Sequence, residues 1–364
     1  MRIGIDISQI VYGTGVSFYT RSLVKHLLKA DNKNNYVLFG GALRSRQVLI
    51  DNVQHFSEYK SKFKLKVYPF SPKISDILFN KVHFLPIETF IGKIDVFHSS
   101  DWVQPKTNCF NVTTIHDLAP IIYPKLNDRN IVEVHKRRLK RIFAEVDRVI
   151  VPSKATENEL LRLGYDARKI RVIYEAPGDA FKKQNLEEIE KVKSRFKIRG
   201  KYILAVGTGK RKNTKGIVRG FELARAGKDI NLVIVGRLDN TYDQKRGIVF
   251  TGIVNDKTLS CLYSGAEALV FPSFYEGFGL PILQAFACEC PAVTSSISSM
   301  SEIAGDAAIL VDPYNSTSIA DGIIKALNGP KGLINKGLNR VKDFSWNKAA
   351  KETLSVYKES NKLK

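Results

Sequence analysis

The sequence predicts an α/β protein built from two Rossmann-like domains that face each other across a cleft. Three observations predict it. Short β-rich runs alternate with helical stretches from end to end. The rhythm stops at a Pro- and Gly-bearing linker, "YEAPGDAFKKQN" (174–185), and then restarts. The length, 364 residues, is enough for two cores that each bury themselves.

In the first half the expected strands are 2–8, 36–41, 64–70, 95–100, 111–117 and 147–153, with helical patterns at 16–30, 129–145 and 154–163. In the second half they are 202–208, 231–236, 247–252, 267–273, 291–296 and 307–313. These runs are almost continuously apolar, as strands are when helices cover both faces of a parallel sheet. The expected domains are therefore 1–178 and 179–344, with a last helix at about 345–360 that packs back on the first domain within the segment 345–364. The sequence shows no solenoid-period repeat and no low-complexity segment.

Composition sets the class. With 44% hydrophobic and 26% charged residues the chain is an ordinary globular protein. "MRIGIDISQI" has no signal-peptide layout, because Asp6 interrupts the apolar run. Cys109, Cys261, Cys288 and Cys290 lack metal-finger or CxxC spacing, so reduced thiols and a cytoplasmic setting are expected, on or near the cytoplasmic face of a membrane. The formal charge of +21 is spread over both halves. Nucleic acid, anionic lipid and a phosphate-bearing small molecule all fit such a charge, as does a plain solvated basic surface. No RNA-recognition aromatic motif or zinc knuckle is present, so no nucleic-acid partner is expected.

In doubly wound sheets ligands bind beyond the carboxyl ends of the strands. The informative ends are "GTG" (13–15), "HD" (116–117), "GTGKRKN" (207–213), "GR" (236–237) and "FPSFYEGFGLP" (271–281). In "GTGKRKN", glycines allow close backbone approach, a helix start adds partial positive charge, and Arg211 and Lys212 supply formal charge. Together they suit a diphosphate, although a helix start with two solvated basic residues reads the same way. The spacing matches neither a Walker A loop nor GxGxxG. In "PSFYEGFGLP", Glu276 stands in a strand-to-helix turn, Gly277 and Gly279 free the backbone, and Leu280 opens a helix that carries Gln284 one turn on. His116 with Asp117 has no G-x-S-x-G serine to make a hydrolytic triad; a buried histidine capping the next loop is the other reading.

Taken in order, "GTGVSFYTRSLVKHL" (13–27), "TTIHDLAPIIYP" (113–124), "VDRVIVPSKATENEL" (146–160), "YILAVGTGKRKN" (202–213), "LYSGAEALVFPSFYEGFGLPILQAFACECPAV" (262–293) and "SEIAGDAAILVDP" (301–313) resemble the family 4 retaining glycosyltransferases of GT-B fold over nearly the whole chain. The resemblance implies transfer of a sugar from a nucleoside-diphosphate donor with retention of configuration. It implies that Arg211 and Lys212 bind the diphosphate, that Glu276 holds donor-sugar hydroxyls with help from backbone at Phe278, Gly279 and Leu280, and that His116 contacts the sugar near the anomeric carbon. Gly13 and Gly15 would pass close to phosphate and acceptor. Gly207, Gly236, Arg237 and Val254 complete the expected donor-binding set, with base identity read by backbone near Gly252 to Asn255. No metal and no cofactor are implied, and no DxD motif occurs.

Two departures stand out. Gln284 replaces the family's second glutamate, and the diphosphate loop lacks the proline of the common "GTxxPRKN" form. An amide in place of a carboxylate on the ribose weakens one hydrogen bond, about 1 kcal/mol. The expected partners are a nucleotide sugar, with GDP-mannose first, and a glycan or lipid-linked acceptor. The alternative is a non-catalytic nucleotide-sugar-binding subunit, motivated by Gln284. The basic helix "HKRRLKRIF" (135–143) and the mixed basic and apolar stretch 71–93 suggest contact with an anionic membrane surface.

Overall fold

In the computed structural model, which describes residues 1–226, 229–237 and 246–362, the chain forms two compact units. The first takes in Met1–Glu175 together with the segment from Trp346 on, and the second is Ala176–Ser345. Glu175, the last residue of that first segment, has its carboxylate 3.6 Å from His116 Nδ1.

The first unit holds a seven-stranded parallel sheet in the order β3-β2-β1-β4-β5-β6-β7. Its strands are β1 (Arg2–Asp6), β2 (Asn35–Gly41), β3 (Phe63–Tyr68), β4 (Val96–Ser100), β5 (Phe110–Thr114), β6 (Arg148–Val151) and β7 (Ile170–Val172). The edge strand β7 is not among the expected strands: three residues are too short for a pattern, and pairing with β6 is what defines it. β5 ends at Thr114, three residues before the expected end, so His116 lies on the loop beyond the sheet.

The second unit holds a six-stranded parallel sheet in the order β10-β9-β8-β11-β12-β13. These are β8 (Lys201–Val206), β9 (Ile230–Val235), β10 (Ile248–Gly252), β11 (Leu269–Phe271), β12 (Ala292–Ser295) and β13 (Ile309–Val311). In this sheet the chain runs outward from β8 to β10 and then crosses to β11 on the other side of β8. That reversal opens a crevice at the carboxyl ends of β8 and β11, which carry "GTGKRKN" and "PSFYEGFGLP". In the first sheet the reversal lies between β1 and β4.

The strands are buried because helices cover the sheets. Ile203, Leu232, Ile234 and Val270 pack under the helices Thr214–Ala224 and Ser316–Asn328. The helix Trp346–Lys358 lies on Gly15–Ala30, with the Trp346 ring edge-on to Phe18 and Tyr19 at 5.8 and 5.6 Å. Tyr357, fully buried, meets the buried His98 with Oη 2.6 Å from Nδ1, while His98 Nε2 lies 2.8 Å from Thr114 Oγ1. Burial pushes the His98 imidazole down to about 3, so the ring is neutral and structural.

The basic helix Arg129–Glu145 is not the free cationic face that its sequence suggests. Arg137 pairs with the buried Asp76 at 2.7 Å, Arg141 donates to the carbonyls of Asn80 and Lys81, and Arg138 is buried. The helix uses its cations to hold the segment 71–93, whose Phe79, Ile87 and Ile91 are core residues. No described helix is long and apolar enough to cross a membrane.

Candidate active site

The centre of the second unit's site is Glu276, 8% exposed in the turn after β11. Its Oε1 accepts from Lys212 Nζ at 2.7 Å and its Oε2 from Arg211 Nη1 at 3.1 Å. Burial alone would raise this carboxyl, but Lys212 and Arg211 outweigh it and hold it below the usual carboxylate range. The backbone is fixed as firmly: the Glu276 carbonyl accepts from the hydroxyls of Ser298 and Ser299 at 2.9 and 2.8 Å. Arg211 also donates to the Tyr275 carbonyl, and its own carbonyl accepts from Phe274 N–H at 3.0 Å. The two Gly-rich loops are thus tied together.

Local chemistry explains the geometry. Gly207 has φ +87°, and a Cβ there would meet the Lys212 side chain at 3.1–3.2 Å, so the glycine makes room for the lysine to fold back. The Lys212 ammonium also lies over the Phe271 ring, 4.8 Å from its centre. Asn213, in the left-handed region at φ +59°, caps the Thr214–Ala224 helix through Gly216 N–H. Its amide nitrogen donates to the carbonyls of Pro272 and Pro313, fastening the loops after β8, β11 and β13 to one side chain. Sequence reasoning passed over Asn213 and the two serines; an Asn directly before a helical run is a capping signal that would have found the first.

Gly279, at φ +114°, starts the helix Leu280–Ala287. Its Pro281 occupies the first turn, where no N–H is needed, and the Ile282 N–H of that turn already bonds the Gly279 carbonyl at 2.9 Å. Phe278 is buried edge-on against Phe344 at 6.0 Å, so what it offers a ligand is its backbone. Gln284 is buried on this helix, and its Oε1 accepts from the Tyr263 hydroxyl at 3.2 Å. The amide oxygen is therefore engaged inside the unit, while its NH₂ has no hydrogen-bond partner among the described residues. Gly236 lies against Gly252 (N–H to carbonyl 3.1 Å) with Thr208 filling the place of a Cβ, Arg237 is exposed, and Val254 is half-buried before the cap residue Asn255.

The first unit gathers a second set. His116 Nε2 lies 2.8 Å from Ser100 Oγ, its Nδ1 is 3.6 Å from Glu175, and Tyr19 stands edge-on to its ring at 4.5 Å. The loop cap belongs to Asp117, which accepts from Ala119 N–H; His116 does no capping. Around it lie Asp101, a non-glycine residue at φ +62° whose carboxyl burial raises, and Asp6, raised to about 6 by burial against the lowering effect of its Ser8 hydrogen bonds. Arg138 donates to Thr113 Oγ1 and the Thr114 carbonyl, and burial lowers its guanidinium to about 10. Gly13 (φ +64°) and Gly15 bracket the start of the Gly15–Ala30 helix, and a Cβ at either would meet open space. Among the described residues no three His, Cys, Asp or Glu side chains come together as a metal-holding group.

Comparison with known proteins agrees with this layout. Residues 13–176 match the model for Glycosyltransferase Family 4, and 187–344 match that for Glycosyl transferases group 1. The O-antigen chain mannosyltransferase B of Escherichia coli is 27% identical over 95% of this chain and 96% of its own. The uncharacterised glycosyltransferase MJ1607 of Methanocaldococcus jannaschii is 32% identical over 74% and 76%. Among solved structures, Anabaena HepE in complex with UDP and glucose superposes with a TM-score of 0.71 at 13% identity, covering 99% of this chain and all of that one. The chain belongs to the family 4, group 1 glycosyltransferases, and its two parallel-sheet units are those of the GT-B fold.

Proposed function

We propose that the protein transfers a hexosyl group, mannose first among candidates, from GDP-mannose to a glycan or lipid-linked acceptor in surface polysaccharide synthesis, with retention of configuration and without a metal or cofactor. The observation that carries the reading is the Glu276 carboxylate held between Lys212 and Arg211 at the start of the Leu280–Ala287 helix. The mannosyl and O-antigen parts of the reading rest on the relative of E. coli.

The chemistry follows from charge. When the anomeric C–O bond to the diphosphate breaks, the electron pair leaves with the phosphate. Arg211, Lys212 and the helix N–H groups meet that charge where it develops, the task that a metal performs elsewhere. The acceptor hydroxyl oxygen forms the new bond, and its proton passes to the departing diphosphate. Glu276 accepts hydroxyls of the donor sugar, and the Gln284 NH₂ is the group left to meet the ribose. In the first unit, His116, beside Ser100 and Glu175, is the side chain that the reading assigns to a sugar.

The acceptor's lipid carrier would be reached at the segment between residues 74 and 85. Val82 and Phe84 are 62% and 73% exposed, Ile74, Ile77 and Leu85 are also exposed, and Lys73 and Lys81 flank them. An apolar wedge with a cationic rim suits an anionic lipid surface.

Calorimetric titration of GDP, UDP, ADP and their sugars in EDTA tests the donor. Binding of guanine nucleotides that disappears in Arg211→Ala supports the reading, and preference for another base corrects the donor. Product NMR, read for anomeric configuration, tests retention.

A further inference from the structure

A cavity of about 520 Å³ in the second unit is lined by neither Glu276 nor Gln284. It opens between the starts of the helices Thr214–Ala224 and Ser316–Asn328, behind the diphosphate loop. Three cations line it: Lys210 from the loop, and Lys215 and Arg219 one turn apart on the first helix. No acidic side chain lines it, and no hydrogen bond or ion pair reaches the three cationic side chains among the described residues.

The opposite wall is aromatic. Phe274 and Tyr314 stack with ring centres 4.9 Å apart and planes 26° apart, and Tyr314 keeps 69% of its surface exposed. Phe274 covers one face of the Tyr314 ring, and both residues line the cavity. Two helix starts add partial positive charge, although the caps Asn213 and Asn315 already satisfy some of their N–H groups. Unpaired cations that share a concavity repel one another, an arrangement that an anion relieves. The aromatic platform adds a stacking face for a base or for the apolar face of a sugar.

We infer that this cavity is a second ligand site, separate from the donor site, for a small molecule that combines a phosphoryl group with a ring. Lys210, Lys215 and Arg219 take the phosphate and Tyr314 takes the ring. A sugar phosphate and a mononucleotide share that chemistry, and the cavity is large enough for either. The inference does not rest on the donor reading, since none of these side chains contacts Glu276.

The test is calorimetric titration of the full chain with mannose 6-phosphate, GMP, inorganic phosphate and neutral methyl α-mannoside. It compares wild type, the double variant Lys215→Glu/Arg219→Glu, Tyr314→Ala and, as the donor-site control, Arg211→Ala. Lys215 and Arg219 are exposed on their helix, and an unchanged thermal melt shows that the double variant is folded. The expected result is binding of at least one phosphorylated ring compound with Kd below about 1 mM. That binding weakens at least about tenfold in the double variant, as loss of charge-assisted contacts requires. It weakens in Tyr314→Ala with phosphate binding kept, it persists in Arg211→Ala, and methyl α-mannoside does not bind. Which compound binds names the source. The proposal is overturned if neither phosphorylated compound binds, if binding survives the double variant, or if Arg211→Ala alone removes it, which would assign it to the donor site. Binding indifferent to Tyr314→Ala would overturn the ring class.

Discussion

Lys212 Nζ stands 2.7 Å from Glu276 Oε1, and the glycine at 207 exists in this fold to let the lysine reach it. Both side chains are mostly buried, so neither charge is well solvated without the other. Glu276→Gln keeps the shape and removes the charge. We expect kcat to fall about 10²–10³-fold, the loss typical of one preorganised electrostatic group. The folded-state carboxyl is lowered, so the stability that the cluster contributes is present above the unfolded value near 4.3 and lost as pH falls through the lower folded value. Denaturant melts from pH 3 to 6 would show that acid limb in wild type, and Glu276→Gln should lack it.

Asp6 predicts the opposite slope. Its carboxyl is raised to about 6, so the folded protein keeps the proton after the unfolded chain has released it. Stability from this residue is complete below about 3.8 and is lost as pH rises toward 6, by roughly 3 kcal/mol. Asp6→Asn keeps an oxygen for Ser8 N–H and Oγ–H, which share Oδ1, and should flatten that loss. A variant with an unaltered slope between pH 4 and 6 would contradict it.

Gln284 separates packing from ligand contact. Gln284→Ala strands the hydroxyl of the buried Tyr263 and should cost about 1–3 kcal/mol of stability. Gln284→Glu keeps an acceptor for that hydroxyl and supplies a carboxylate oxygen toward the donor ribose. Several-fold tighter donor binding is expected, measured by calorimetry; no change would place the ribose elsewhere.

Phe84→Asp tests the apolar wedge. At 73% exposure the side chain contributes little to stability, so the melting temperature should move by the equivalent of no more than about 0.5 kcal/mol. Co-sedimentation with anionic vesicles should drop while donor binding stays unchanged. Equal sedimentation of variant and wild type would remove the membrane part of the proposal.

The alternation of apolar strands and helices was legible because a parallel sheet covered on both faces writes near-continuous apolar runs into the chain. The meeting of Arg211 and Lys212 with Glu276 was legible because glycines mark the two turns that carry them. What the sequence hid depends on tertiary partners. Arg138 sits in a run of basic residues and reads as solvated, yet Thr113 and Thr114 draw it inside. Arg137 and Arg141 read as a lipid-facing stripe, yet they fasten a neighbouring segment. Asn213 binds three loops whose meeting no local pattern announces. β7 is three residues whose only signature is the strand beside it.

The contact between His98 and Tyr357 joins residues 259 positions apart and closes the first unit with a helix made after the whole second unit. During synthesis the second unit can therefore finish folding on the ribosome while the first waits, its Gly15–Ala30 helix bare where Trp346 will lie. A premature stop at 346 would release a second unit with all its residues beside a first unit left open to chaperones and proteases.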